Sequence, residues 1–179
     1  PQRSVDTGMG LERLLMVVQG KRSVFETDVF EPWTSTLPGL WQPGRRSLHL
    51  LADHLRASAV IIGDGVGPSN SGRGYVLRRL LRRALTTLWR EDRTRSLGQI
   101  PATLLDHTAA RFGQGADSGT VREVFRDEER RFAGLLDRGQ QVLARFRPGR
   151  PLTDDDLAYL HETHGLPPDL VTGLLAGPA

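Results

Sequence analysis

The apolar residues of this chain recur at helical spacing along most of its length, and no segment alternates apolar and polar residues as a half-buried strand does. The clearest stripe consists of Leu77, Leu80, Leu81, Ala84 and Leu88. At about 100° per residue, these positions span roughly a third of the helix circumference, the usual width of a buried face. The pattern therefore predicts an all-α protein that packs as a helical bundle.

Further helices are predicted from the same spacing and from residues that begin or end helices. They run from the Asp6 cap to just before Gly20, from Arg46 to about Ile62, near Ala102–Phe112, from Thr120 to Phe146, from Thr153 to Gly165 and from Pro167 to Leu175. Residues 34–44 differ, because Pro38, Gly39, Pro43 and Gly44 favour a loop or an internal linker there.

Three of the predicted helices begin beside a side chain that can accept a hydrogen bond from a free backbone N–H. Asp6 precedes the first helix. Thr120 and Glu123 have the spacing of a capping box at the start of the longest helix, and Thr153 with Asp156 is a second plausible cap.

Composition narrows the class of protein. The 179 residues suit one soluble domain, and the formal net charge is +3. Cysteine is absent, which excludes disulfides, thiolate metal sites and cysteine nucleophiles. No apolar run approaches the roughly 20 residues of a membrane span, and the N-terminus has no apolar secretory signal. We therefore expect a cytoplasmic protein without a membrane partner.

The helix around the leucine stripe has an unusual charge pattern. Arg78 and Arg82, like Arg79 and Arg83, are like-charge pairs four residues apart, and each pair costs about 0.2–0.5 kcal/mol in an isolated helix. Such a helix requires an anionic partner. The partner is either within the protein, where residues 127–129 are acidic, or outside it, where a phosphate group is the natural choice for arginine.

Three segments, in order along the chain, resemble alanyl-tRNA synthetases. Residues 6–13 are similar to motif 3 of the class II enzymes. Residues 52–56 and 64–83 resemble the helical tRNA-recognition region, and residues 161–169 resemble the segment that closes that region. The resemblance implies a motif 3 remnant of the catalytic domain, a linker and a helical tRNA-recognition domain. Their predicted bounds are residues 1–33, 34–44 and 45–179.

The motif 3 resemblance implies that Gly8, Gly10 and Arg13 contribute to ATP binding. Glycine lets the backbone approach a nucleotide closely, and arginine supplies a planar fork for phosphate oxygens. The resemblance implies ATP and magnesium as cofactors of the parent enzyme, with neither expected on this chain alone. Alternatively, the glycines are turn residues and Arg13 pairs with Glu12 or Asp6.

The tRNA-recognition resemblance implies that a G·U pair in the acceptor stem of tRNA(Ala) is read by side chains. Asn70 matches the family's asparagine reader, and its amide offers both a donor and an acceptor. Glu162 stands where the family has aspartate, so its carboxylate lies one methylene further out; Asp169 is a nearby substitute. Without the resemblance, Asn70 is a loop residue that stabilises a turn.

Five arginines are implied contacts to the RNA backbone, which position the RNA and make its binding salt-dependent. They are Arg73, Arg78, Arg79, Arg82 and Arg83. No metal site is predicted. His161 and His164 suit a helix C-terminus, while Asp154, Asp155 and Asp156 suit a helix N-terminus.

Motifs 1 and 2 of the class II enzymes do not occur in this chain, so we expect it to bind the acceptor stem without aminoacylating it. One interpretation is the tRNA-recognition portion of an enzyme that ligates alanine to tRNA, with the missing catalytic half as a partner. Another is a standalone paralogue that binds tRNA in trans in a biosynthetic or regulatory pathway. A helical DNA-binding protein is the weakest interpretation, because no helix-turn-helix spacing surrounds the arginine helix.

Overall fold

The structure is a computed structural model, and it describes residues 8–112, 117–145, 152–164, 166 and 171. Those residues form helices and two short 3-10 turns joined by loops. The helices are α1 (Leu11–Val18), α2 (Glu31–Trp41), α3 (Arg45–Gly63), α4 (Gly72–Trp89), α5 (Ala102–Phe112), α6 (Ser118–Arg145) and α7 (Asp154–His164). The 3-10 turns are Val24–Glu26 and Leu97–Gln99. The all-α prediction is confirmed.

Helix α3 lies at the centre of the fold, where it contacts α2, α4, α5 and α6. Leu51, Ala52, Leu55 and Ile62 are buried along it and join one continuous apolar core. The β-branched residues 60–62 continue the helix, as the apolar stripe predicts, because Ile61 and Ile62 pack in the same core.

The predicted loop at residues 34–44 is wrong over most of its length, because α2 is helical as far as Trp41. Trp33, Leu37 and Trp41 lie four residues apart and are almost completely buried. A buried aromatic residue removes about 150–250 Å² from water, and about 25 cal/mol per Å² makes that worth several kcal/mol. Two such residues outweigh the roughly 3 kcal/mol that Pro38 costs inside a helix.

The apolar core crosses the domain boundaries that the sequence suggested. Val29, Phe30 and Trp33 belong to the predicted N-terminal unit, yet they pack in the same cluster as residues of α3, α4, α5 and α6. The division of the chain at residues 33 and 44 stays a prediction about the parent protein.

The longest helix begins earlier than predicted. The capping box of Thr120 and Glu123 is wrong, because α6 already begins at Ser118. Asp117 caps it instead: its Oδ1 accepts a hydrogen bond from the backbone N–H of Thr120 at 2.7 Å. An aspartate directly before the helix satisfies the free N–H groups, so Thr120 is left inside the first turn.

The cap of α7 is confirmed by two reciprocal hydrogen bonds. The backbone N–H of Thr153 donates to Asp156 Oδ2 at 2.9 Å, and the backbone N–H of Asp156 donates to Thr153 Oγ1 at 3.3 Å. A second small apolar cluster joins this helix to the end of α6. It contains Leu160, Leu166 and Val171, packed against Leu135, Val142, Leu143, Leu152 and Leu157.

Helix α1 ends at a glycine, as the sequence predicts. Gly20 has a φ of 61°, and the backbone N–H groups of Gly20 and Lys21 donate to the carbonyls of Val17 and Met16 at 3.1 and 2.9 Å. The described residues leave the apolar side of α1 uncovered. Met9, Leu11, Leu14, Val17 and Val18 are each 46–74% exposed. The predicted Asp6 cap is wrong, because α1 begins at Leu11 with Gly10 as its N-cap residue. Phe146 and the helix predicted from Pro167 to Leu175 fall outside the described residues, apart from position 171.

Thr108 provides a test of how α2 packs in the core. Its Oγ1 accepts the indole N–H of Trp33 at 3.0 Å, and both side chains are buried. Thr108→Val keeps the shape but leaves that N–H without a partner, so we expect the free energy of unfolding in urea to fall by about 1–3 kcal/mol.

Thr103→Val is the matched control, because Thr103 is exposed on the same helix. We expect it to change the free energy of unfolding by less than about 0.5 kcal/mol. Equal losses in the two variants would contradict the buried hydrogen bond.

Candidate nucleic-acid interface

Helix α4 has a buried side, a flank and an outer side. The buried side consists of Gly74, Leu77, Leu81, Ala84, Leu85 and Leu88. Arg78 and Arg82 lie on the flank and are partly buried, whereas Arg79 and Arg83 are exposed. At about 100° per residue, the latter two point almost directly away from the core. The four arginines therefore occupy two different environments.

The flank arginines have an acidic partner inside the protein. Glu128, on α6, is 1% exposed, and its Oε1 accepts a hydrogen bond from Arg82 Nε at 2.8 Å. Its Oε2 lies 3.5 Å from Arg78 Nε, an ion pair that is too long to be a good hydrogen bond. The guanidinium of Arg82 also lies over the ring of Phe132, 5.3 Å from its centre. One buried carboxylate thus pairs with both guanidinium groups and offsets one of their two positive charges.

The outer arginines have no such partner within the described residues. Arg79 and Arg83 make no ion pair there, and neither does Arg73 in the first turn of α4. Tyr75 and Val76 are about half exposed on the same outer side. The interpretation with an internal acid is therefore confirmed for Arg78 and Arg82. Arg79 and Arg83 form an exposed cationic surface, and their external partner stays a prediction.

Asn70 lies in the exposed loop directly before α4, and Arg78 holds its side chain. Arg78 Nη1 donates a hydrogen bond to Asn70 Oδ1. Arginine has only donors, so the amide oxygen must face Arg78 and the amide NH₂ is directed elsewhere. In the structure the asparagine therefore bonds an α4 side chain eight residues later. The turn hydrogen bond in this loop comes from Ser69, whose Oγ donates to the Ser71 carbonyl at 2.7 Å.

Two glycines fix the path of that loop onto α4. Gly72 has a φ of 58°, a left-handed conformation that glycine adopts without strain. Gly74 is buried under the loop, and a Cβ there would lie 2.4 Å from the Gly67 carbonyl oxygen and 2.3 Å from Ser69 Oγ. The loop that presents Asn70 thus rests directly on the backbone of the helix.

The structure does not join the two predicted base-pair readers. Glu162 is exposed on α7, and no hydrogen bond links it to Asn70 in the part of the chain that is described. The apolar cluster of α7 packs on α6 from Leu135 to Leu143, about 7 to 15 residues or ~10–22 Å along that helix from Glu128. Asp169 lies outside the described residues.

The predicted ATP-binding residues lie at the start of α1. Gly8, Gly10 and Arg13 are exposed, and a Cβ on Gly10 would meet the Arg13 side chain at 3.8 Å. Arg13 makes no ion pair with a described residue. The alternative pairing with Glu12 is not observed, while Asp6 lies outside the described residues.

Glu12 instead bonds Arg56, a buried residue of α3. Arg56 Nη2 donates to Glu12 Oε1 at 2.5 Å, and the guanidinium stacks between Phe30 and Phe112, 4.4 and 5.2 Å from their ring centres. The pKa of Glu12 lies below its ordinary value: its backbone hydrogen bond and the Arg56 contact outweigh the effect of partial burial and of the Asp53 charge, which raise it. This contact ties α1 to the core.

Metal and membrane sites receive no support from the described residues. They contain no cluster of three or more histidine, cysteine, aspartate or glutamate side chains that could hold a metal ion. Asp154, Asp155 and Asp156 lie in the first turn of α7 and His161 and His164 in its last turn, as predicted. None of the helices in the described part of the chain is long and apolar enough to cross a membrane.

Two charged residues of this region were not singled out as sites from the sequence, although each left a signal. Glu128 falls seven residues after Val121 and three after Phe125, so it occupies a position of the apolar stripe of α6. Arg56 falls between Ala52 and Ala59 on the stripe of α3. An ionisable residue on an apolar stripe indicates a buried ion pair.

Known proteins are similar to this chain over nearly its whole length. Residues 1–177 match the family described as tRNA synthetases class II (A). An alanine–tRNA ligase of Chlorobium luteolum is 40% identical over 98% of this chain and 22% of the relative. That of Bordetella pertussis is 37% identical over 97% of this chain and 21% of the relative. That of Myxococcus xanthus is 39% identical over 95% of this chain and 20% of the relative. The chain thus spans about a fifth of the length of these relatives.

The ion pair between Glu12 and Arg56 predicts a specific dependence of stability on pH. Because folding lowers the pKa of Glu12, the ionised carboxylate adds to the free energy of unfolding. That contribution is complete above the ordinary glutamate pKa of about 4.3 and is lost as the pH falls through the pKa of Glu12 in the folded protein. We expect Glu12→Gln to be less stable than wild type at pH 7, and the two stabilities to converge as the pH falls through the lowered pKa of Glu12. Urea unfolding across this range measures it.

Glu123→Gln is the control, because Glu123 is exposed on α6 and makes no ion pair with a described residue. We expect its stability to stay within about 0.5 kcal/mol of wild type throughout. A constant difference between Glu12→Gln and wild type at all pH values would argue against the ion pair.

Proposed function

Because this chain belongs to the class II tRNA synthetase family and is alanyl-tRNA synthetase-like, we propose that it is the tRNA-recognition portion of an alanine–tRNA ligase and binds the acceptor stem of tRNA(Ala). The observation that supports this best is the outer side of α4. There Arg79 and Arg83 lack an acidic partner among the described residues, on the helix that directly follows the loop of Asn70.

The cationic surface supplies affinity in this proposal. Arg73, Arg79 and Arg83 contact phosphate groups, which position the duplex without reading its sequence. The exposed ring of Tyr75 adds an apolar contact on the same side. Arg78 and Arg82 were predicted as backbone contacts as well, but their pairing with Glu128 leaves the outer arginines as the better candidates.

The loop residue supplies specificity. Bases of an A-form duplex expose their edges in the wide, shallow minor groove, which a loop side chain beside a basic helix can reach. Asn70 is exposed and held in one orientation, so it is the proposed reader of the G·U pair. Glu162, or Asp169 in its place, is the proposed second reader. Helix α7, which carries Glu162, packs on a different part of α6 from the part that contacts Arg78, and it must approach the RNA from there.

The proposal extends to the longer protein. In the parent enzyme, Gly8, Gly10 and Arg13 contact ATP, whose activation of alanine depends on magnesium. The uncovered apolar side of α1 suits packing against the rest of a catalytic domain, since exposed apolar patches of this kind mark interaction sites. Such a protein acts in the cytoplasm. A standalone paralogue would use the same RNA surface, and an aminoacylation assay of the longer protein separates the two.

The first test compares two RNA minihelices that differ in one base pair. We expect the chain to bind an alanine acceptor minihelix with G·U roughly tenfold more tightly than one with G·C, measured by fluorescence anisotropy, because one good base contact is worth about 1–3 kcal/mol. Asn70→Ala is expected to remove that preference while leaving the affinity for G·C unchanged. Equal wild-type affinities would contradict the proposal.

A second test separates the phosphate contacts from base reading. The double variant Arg79→Gln, Arg83→Gln is expected to weaken binding to both minihelices equally. It should also reduce the slope of log affinity against log salt by about two, since each lost phosphate contact removes about 0.9.

Arg45→Gln with Arg46→Gln is the charge-matched control, because both residues are exposed in the first turn of α3, a different helix from the one that carries Arg79 and Arg83. We expect the control to leave the salt slope unchanged. A similar loss of slope in both double variants would attribute binding to net charge alone.

A further inference from the structure

We infer that Arg78 and Glu128 are positioning residues for Asn70, and that together they set the discrimination between base pairs at this site. The inference rests on the proposed function and extends it, because neither residue needs to touch the RNA. It begins from a series of contacts among three side chains. Glu128 on α6 holds Arg78 on α4, and Arg78 holds the amide of Asn70 in the loop.

The buried end of this series of contacts, at Glu128, is fixed. Glu128 is 1% exposed, and its Oε1 is already bonded to Arg82. Neither Glu128 Oε2 nor Arg78 Nε has a hydrogen-bond partner within the described residues, and the two atoms lie 3.5 Å apart. The two atoms therefore face each other as an ion pair, which holds the guanidinium of Arg78 towards α6.

The exposed end follows from donor chemistry. A guanidinium cannot accept a hydrogen bond, so the Asn70 amide can meet it only through Oδ1. This removes the ambiguity of an asparagine side chain, whose oxygen and NH₂ group otherwise exchange places by rotation. The NH₂ group and one remaining lone pair of Oδ1 are left for the RNA. An amide free to rotate would meet a donor and an acceptor equally well.

The chain offers a matched pair of substitutions. Arg78→Lys keeps the positive charge but loses the fork that reaches Glu128 and Asn70 together. Arg82 remains to balance Glu128, so the buried carboxylate keeps one partner. Arg79→Lys is the same change one residue along, on the outer side of α4. Glu128→Gln tests the buried end, and thermal unfolding checks that each variant is folded.

The first measurement needs no RNA. Asn70 is the only asparagine of the chain, so labelling asparagine with ¹⁵N gives a single side-chain NH₂ group in a ¹H–¹⁵N spectrum. We expect its two signals to move in Arg78→Lys and in Glu128→Gln, but to stay in place in Arg79→Lys. Identical signals in all four proteins would overturn the inference, whatever the RNA experiments give.

The second measurement is the ratio of affinities for the G·U and G·C minihelices. We expect Arg78→Lys to lower that ratio roughly tenfold, the scale of one hydrogen bond to a charged group, while Arg79→Lys leaves it unchanged. In an Asn70→Ala background, Arg78→Lys and Glu128→Gln are expected to have no further effect on the ratio, because residues that act through Asn70 are not additive with it. A merely structural role would lower the ratio equally with and without Asn70.

The outcomes separate the inference from the proposal beneath it. If wild type prefers G·U and folded Arg78→Lys keeps that preference, the inference fails and the proposed function stands. If wild type shows no preference, both fail. If Glu128→Gln is unfolded, Arg78→Lys alone decides.

Discussion

A buried carboxylate between two helices is the contact on which the candidate interface depends. Glu128 replaces an apolar residue in the stripe of α6, and it is tolerated there because Arg78 and Arg82 both reach it. Removing the partners of a buried charge costs about 3–5 kcal/mol, so α4 and α6 are held in one rotational setting. That setting decides which arginines are turned inward and which remain outside.

The division of labour among the arginines follows from this one contact. Two cations, four residues apart, share one acid, while the next pair around the helix faces solvent. The repulsion between Arg79 and Arg83 is thus unrelieved within the described residues, as expected of a surface prepared for a polyanion. In the proposed function, stability and RNA binding therefore depend on adjacent residues of the same helix.

Most of the fold could be predicted from the sequence, because α3, α4 and α5 combine apolar spacing with clear ends. The sequence was misleading at α2, where Pro38 and Gly39 suggest a loop while the spacing of Trp33 and Trp41 decides for a helix. At the site, the arginine helix and Asn70 were predicted, but not the contacts among them. Which arginine pairs with an acidic side chain depends on how α6 packs against α4. The spacing of residues within one helix does not determine that packing.

The close contact at Gly74 has a consequence for sequence variation. Any other residue places a carbon atom within 2.4 Å of a main-chain oxygen that cannot rotate away, so the loop must lift from the helix to admit it. Gly39, with nothing within 4 Å of its own Cβ position, accepts substitution freely. Random mutagenesis of this chain should therefore recover few substitutions at Gly74 and many at Gly39. The position that does not accept substitution is the one on which the loop of Asn70 packs.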